Sequence, residues 1–306
     1  MKVFTSTGFP VSMSGNSLFD LWMDEDPAVT PDSHYPLWIE AVWRDQDGRV
    51  YGWYHHEPPG LCGGKLSAPQ IGAVVSSDGG RTFQDLGIVL ASGDPINCSA
   101  RNGYFAGGHG DFSVILDQER RYFYFLFTNY GGPPEQQGVA LARMEFEGRE
   151  RPLGRVTKFY QGSWNEPGIG GAMTPVLPAR TAWERSDTDS FWGPAVHWNT
   201  YLRRYVVVLN RSCCSANWPQ EGIYISFATD LADVSSWTAP ARILNARDIG
   251  FAPGYYPQVF GTRPGETDSL AGQSARLFVK GVSKWQISFS LPEPDSPAPV
   301  ELPQDR

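Results

Sequence analysis

Three stretches of the chain repeat one plan, and this repeat limits the possible folds more than any other feature. Residues 37–57 (LWIEAVWRDQDGRVYGWYHHE), 111–130 (DFSVILDQERRYFYFLFTNY) and 193–212 (GPAVHWNTYLRRYVVVLNRS) each open with an apolar strand, turn at a polar residue pair and return as a second apolar strand. Asp45, Asp117 and Asn199 fall at the matching turn. After each copy come a third strand and a turn into a fourth: 71–75 then 87–90, 138–144 then 155–160, and 223–227 then 241–244. A weaker copy starts at Tyr256 and passes through an extended loop to Ala275. Repeated units of four short strands in meander order predict a β-propeller, in which radial repetition leaves only short, protected sheet edges. No helical 3.6-residue period competes over a long window.

Three clear units, the weaker fourth and an N-terminal segment (residues 2–10, KVFTSTGFP) placed to close the ring predict five blades, with four or six as alternatives. The expected class is all-β. Composition agrees, because 33 Gly, 25 Pro and 13% aromatic residues beside only 19% charged ones favour strands and turns over helices. Residues 1–290 are expected to form a single propeller domain, and residues 291–306 (LPEPDSPAPVELPQDR) a Pro-rich, acidic C-terminal extension.

A net charge of −8 and the lack of basic runs longer than pairs such as Arg203-Arg204 argue against a nucleic-acid partner, which needs clustered Lys and Arg. No stretch approaches the roughly 18 apolar residues of a membrane helix, so no membrane partner is expected. The first residues are too polar for a secretory h-region, so export would require a leader already removed. Cysteines stand at 62, 98, 213 and 214, without the C-x-x-C spacing of a zinc or redox site. Cys62 and Cys98 lie in Gly- and Pro-rich loops, where a bridge and two free thiols are equally open readings. Cys213 and Cys214, being adjacent, stay unassigned.

Residues 76–83 read Ser76-x-Asp78-x-Gly80-x-Thr82-Phe83, which resembles the Asp box (S-x-D-x-G-x-T-W) of sialidases and other carbohydrate-active propellers, with Phe in place of Trp. The resemblance implies a structural turn and a connection to sugars, and names no catalytic residue. Most of the chain is similar to the five-bladed glycosidases of families 43, 32 and 130, through its strand order, the blade ending SFATDLADVSSWTAPARIL and an Asp-led inner strand. Those families place an Asp near the start of an innermost strand as base or nucleophile, so the resemblance gives that role to Asp111. The chain departs from them at Ile39 and Gly193, which align with Asp111 in the other copies, and it has no W-x-N-D-P-N-G signature. GHGDFSVILD and FWGPAVHWNTYLRRYVVVLNR look like a separate branch, to which no particular substrate carries over.

In a four-stranded blade, starts of first strands, ends of second strands and starts of third strands meet on one face of the ring. That face is predicted to gather His34, His109, Asp111, Trp192 and Tyr256, then His55, His56, Glu57, Asn129, Asn210 and Arg211, and finally Glu221. The opposite face receives Asp45, Asp78, Asp117 and Asp230, which read as turn residues. Carboxylates, imidazoles and aromatic rings together suit a glycosidic centre, which needs one ionised and one protonated carboxyl group. The catalytic candidates are Asp111, with Glu221, Glu57 or Glu166 as its acid partner. The substrate-binding candidates are His109, His55, His56, Arg211, Trp192, Tyr255, Tyr256 and Asn129. Glu40 either faces the channel or pairs with an Arg, and His197 reads as a core or channel-lining residue. A metal ion held in the central channel by imidazoles stays open, and no cofactor is required.

Two functions follow. One is a glycoside hydrolase or related carbohydrate-active enzyme; the other is a non-catalytic propeller that binds a glycan or another ligand at the same mouth. A sialidase is disfavoured, since only Arg211 falls on the expected face to meet a substrate carboxylate. The expected partner is a carbohydrate and the expected location periplasmic or extracellular; oligomeric state is not legible.

Overall fold

A computed structural model describes residues 1–215, 219–250 and 255–291. The chain folds into five sheets arranged as a five-bladed β-propeller, as the repeat predicts. Blade II is built from Leu37–Arg44, Val50–His56, Gln70–Ser76 and Thr82–Ser92. Blade III holds His109–Leu116, Tyr122–Asn129, Gly138–Glu145, Thr157–Tyr160 and a fifth strand, Ser163–Pro167. Blade IV holds Ser190–Asn199, Arg204–Ser212, Gln220–Ala228 and Ala241–Asn245. The weak fourth copy is blade V, with Pro257–Gly261, Ser274–Val279 and Val282–Ser288.

The ring departs from a uniform four-strand plan at its ends. Instead of completing another blade, residues 2–6 found a three-stranded blade I with Pro10–Ser17 and Asp20–Met23. Within it Val3 faces Met13 and Phe4 faces Ser12, a register that sends Phe4 against Phe83 of blade II. The extension predicted from residue 291 onward lies outside the described residues except for Leu291. No helix is long and apolar enough to cross a membrane among the described residues.

Blades adhere through apolar side chains that fill the spaces between sheets. One cluster joins II to III around Trp53, Ile71, Phe123, Phe125 and Phe127. A second joins III to IV through Leu126, Leu141, Val207 and Leu209, and a third joins IV to V through Val208, Ile225, Val259 and Leu277. Second strands therefore bury both faces, which is why YFYFLFTN is a continuous apolar run and not an alternating one. Each fully buried Phe or Leu there contributes about 1.5–3 kcal/mol relative to exposure.

The turns are fixed by side chains. At the Asp-box-like turn, Asp78 accepts the N–H groups of Arg81 and Thr82 and both hydroxyls of Ser76 and Thr82, which together hold its carboxyl below the usual range. Asp117 likewise accepts the N–H groups of Arg121 and Tyr122.

Cys62 and Cys98 form a disulfide across 36 residues of sequence, and Cys213 and Cys214 are joined to each other. Closing a loop of that length constrains the unfolded chain by about 4 kcal/mol in the chain-entropy picture. Replacing Cys62 and Cys98 together by Ser is expected to lower unfolding stability by about 2–4 kcal/mol, read from denaturant titration of the two proteins.

Candidate functional site at the propeller mouth

Strand register decides which residues share the mouth. Leu37 pairs with His56, His109 with Asn129 and Ser190 with Ser212, so starts of inner strands and ends of second strands lie on one face. At this level each of the three inner strands is bulged. In blade II the pairing steps from Ile39↔Tyr54 to Ala41↔Trp53, in blade III from Gly110↔Thr128 to Ser113↔Leu126, and in blade IV from Trp192↔Asn210 to Ala195↔Val208. Glu40, Asp111 and Gly193 are therefore the matching bulge residues. An extra residue in one strand re-aims the side chains that follow it, a device common beside active sites.

The bulges in blades II and III bring two carboxyl groups together around one imidazole. Glu40, His55 and Asp111 each offer a ligand atom within 4.8 Å of the other two. Glu40 Oε2 accepts the N–H of Phe112 at 2.9 Å, and Oε1 lies 3.4 Å from His55 Nδ1. The backbone N–H of Asp111 donates to that same Nδ1 at 3.2 Å when the ring is neutral; in the imidazolium, Nδ1 donates to Glu40 instead. His55 Nε2 meets Glu57 Oε1 at 3.3 Å. Gly110 makes this approach possible, since a Cβ there would sit 2.6 Å from His55 Cε1.

Asp111 is 3% exposed and has φ 42°, a left-handed conformation that only glycine, and to a lesser degree Asp or Asn, adopts at low cost. Tyr130 donates to its Oδ2, and Tyr256 donates to its Oδ1 at 2.8 Å. Tyr256 also has positive φ, 59°, and keeps 53% of its surface exposed. Two strained residues, joined by one hydrogen bond, thus lie at the mouth.

The electrostatics follow from burial and mutual charge. Burial raises the Glu40 carboxyl; His55 opposes this and Asp111 reinforces it, leaving a pKa of about 7. For His55, burial lowers the pKa, but the hydrogen bond to Glu57 and the charges of Glu40 and Asp111 outweigh it and push it up to about 9. Near neutrality Glu40 can give up a proton. The same three residues are the donors present for a metal ion in the channel, an imidazole between two carboxylates. Asp189 clusters with Cys213 and Cys214, whose sulfurs are occupied by their disulfide.

The other predicted residues lie in separate surroundings. Arg211 forks onto Asp189 at 2.9 and 3.1 Å and also binds Glu221 at 2.8 Å; Glu221 in turn accepts from Tyr224 and Arg242. None of these hydrogen bonds and ion pairs reaches Asp111, and Glu221 is held as an ion-pair partner of Arg211 and Arg242. Glu166 accepts the N–H of Ala172. His109 is buried and its Nε2 lies 2.9 Å from Lys158 Nζ, which also donates to the carbonyls of Ala91 and Gly171. Burial, followed by the Lys158 charge, lowers the His109 pKa, and burial brings Lys158 down to about 8. Asn129 is buried and donates to the carbonyls of Gly131 and Gln136, shaping a loop.

On the far side of blade II, His56 donates to the Pro36 carbonyl and meets His34, which is bound to Asp85 at 2.5 Å. Trp192 is 2% exposed and backs Tyr255 and Tyr256 in a cluster with Phe105, Tyr130 and Trp183. His197 is buried in the core, where desolvation lowers its pKa to about 3.

Among the candidates, Asp111, His55, Glu57 and Tyr256 come together, and Glu40 completes the cluster. The signal for Glu40 was present: it is the one carboxylate inside the apolar run LWIEAVW. Alignment of the copies without a bulge placed Ile39, and not Glu40, opposite Asp111.

No protein-family profile and no curated protein matches the sequence. Solved structures do match. The chain is similar to an exo-1,5-α-L-arabinanase from a bovine ruminal metagenomic library (TM-score 0.52, 12% identity, 92% of this chain and 84% of that one). It is also similar to a thermostable family-43 glycoside hydrolase (TM-score 0.51, 13% identity, 97% and 92%). An exo-β-1,3-galactanase from Phanerochaete chrysosporium, solved with β-1,3-galactotriose, matches with TM-score 0.50 and 14% identity over 89% of this chain. This chain spans about half the length of that galactanase, 49%. At such identities the likeness lies in the fold: the chain is a glycosidase-like five-bladed β-propeller.

Proposed function

We propose that the protein is a glycoside hydrolase whose reaction centre is the Glu40–His55–Asp111 cluster. The observation that carries this reading is the pair of carboxyl groups, set by bulges on adjacent inner strands, with Glu40 shifted to about 7 beside an Asp111 that receives two tyrosine hydroxyls. Glu40 is the acid: it protonates the glycosidic oxygen as the bond to the anomeric carbon breaks. Asp111 is the second carboxyl group of the reaction. Oxygens within 4.8 Å leave less room than the roughly 6.5–9.5 Å that accommodates an intervening water, so Asp111 attacks the anomeric carbon itself as the leaving oxygen departs with the Glu40 proton; water, giving its proton back to Glu40, then displaces Asp111, and the two inversions retain the configuration.

His55 holds the two carboxyls in register, and Tyr256 presents its exposed ring to the sugar. The Cys62–Cys98 disulfide supports a periplasmic or extracellular location. The test is incubation with arabino-, xylo- and galacto-oligosaccharides, with ¹H NMR of the first-formed sugar. A retained anomer is expected. An inverted one would take Asp111 off the nucleophile's position.

One observation favours the second reading, a glycan-binding propeller without catalysis: both Asp111 oxygens are occupied by Tyr130 and Tyr256. In that case sugar binds at the mouth and no bond is cleaved.

A further inference from the structure

Blade I is a strand short, and its free edge is unlike the other edges of the ring. Blades II and IV carry four antiparallel strands and blade III five, whereas blade I stops at Asp20–Met23. That strand pairs through Met23↔Met13, Trp22↔Ser14 and Leu21↔Gly15 on its inner side. No strand lies along its outer side among the described residues, so half of its N–H and C=O groups face outward.

Natural sheets blunt such edges with lysine, proline or a bulge. Blade V, which also has three strands, does so with the exposed Lys284 in its outer strand. The edge strand of blade I, DLWM, holds neither lysine nor proline, and the bulge in its pairing with Pro10–Ser17 lies at the turn end, between Gly15 and Ser17. The edge presents Phe19, Trp22 and Met23 with 74%, 53% and 62% of their surfaces exposed. Directly after it comes the acidic run Asp24-Glu25-Asp26, in which Glu25 and Asp26 are exposed and form no ion pair among the described residues.

We infer that this edge accepts an extended, lysine- or arginine-bearing segment of a partner protein as the fourth strand of blade I. Backbone hydrogen bonds to the outward groups supply the affinity, Trp22 and Met23 receive its apolar side chains, and the acidic run selects its charge. The charge argument also removes the nearer alternatives. A second copy, pairing antiparallel across this edge, would set the acidic run beside the Ser17-Leu18-Phe19 end of its twin, which carries no lysine or arginine to meet it. The chain's own residues 292–306 are acidic and rich in proline, which lacks the N–H that a strand needs.

The experiment uses the full chain and two short peptides, one alternating valine with lysine and the other valine with glutamate. The lysine peptide is expected to bind, to slow hydrogen exchange of the Asp20–Met23 amides, and to weaken with added salt. Met23→Lys and, separately, Trp22→Lys are expected to lower its affinity about tenfold or more, with circular dichroism unchanged. The inference is overturned by no binding, by equal binding of the glutamate peptide, by protection confined to other strands, or by a dimer that Met23→Lys dissolves.

Discussion

Asp111→Asn is expected to lower turnover by about 10²- to 10⁴-fold while sugar affinity stays close to that of the parent protein. Asparagine preserves the shape of the side chain and one acceptor oxygen, so one of Tyr130 and Tyr256 keeps its hydrogen bond. The other meets an NH₂ group, and the resulting loss costs about 1–3 kcal/mol of stability. What disappears entirely is the carboxyl group that the proposed reaction uses. Thermal unfolding, sugar titration and turnover measured on the same preparation separate these effects. Unimpaired turnover with a normal melt would remove Asp111 from the chemistry.

The second large effect concerns Glu40 and its dependence on pH. Its carboxyl is held up at about 7, chiefly by burial, so the proton needed for catalysis is present below about pH 7 and is lost above it. On the alkaline side, kcat/KM is expected to fall about tenfold per pH unit. Glu40→Gln is expected to lower kcat/KM by about 10²- to 10⁴-fold for substrates with poor leaving groups, and to abolish this alkaline limb.

The same shift affects stability, with the sign set by proton uptake. A carboxyl raised in the folded state keeps a proton that the unfolded chain releases; its stabilisation is complete below about 4.5 and fades as pH rises to about 7. His55, raised from 6.5 to about 9, adds stability below 6.5 that fades through about 9. Both groups favour the folded protein on the acid side. A pH series of melting temperatures with parent and Glu40→Gln reads the Glu40 share.

The residues show why the ring was legible in the sequence and the place of Glu40 was not. Three copies with a matching turn residue at Asp45, Asp117 and Asn199 reveal strand order directly, because turns and apolar strands are local in sequence. The face test also placed His55, Glu57, Asp111 and Tyr256 at one end, since it depends only on strand direction. A bulge depends on how two strands pair. One inserted residue turns the side chains that follow to the other face, which hid Glu40 behind Ile39.

Arg211 and Glu221 stand at the predicted end of blade IV, but Asp189 and Arg242 claim their charges, partners from elements far enough apart to be invisible to local pattern. Residues 2–10 were placed in the ring, but the other two strands of blade I were missed for a different reason. PVSMSGNS and DLWM have weak periodicity, and no other copy in the chain matches them.

The central claim is that Glu40 and Asp111 together cleave a glycosidic bond. The most direct measurement is product release from arabino-, xylo- and galacto-oligosaccharides, followed by chromatography for the parent protein, Glu40→Gln and Asp111→Asn side by side. The account predicts release from at least one substrate by the parent protein and loss of that release in both variants, each still folded and still binding the uncleaved sugar. Release that survives in either folded variant, or sugar bound by all three proteins with none cleaved, would contradict it.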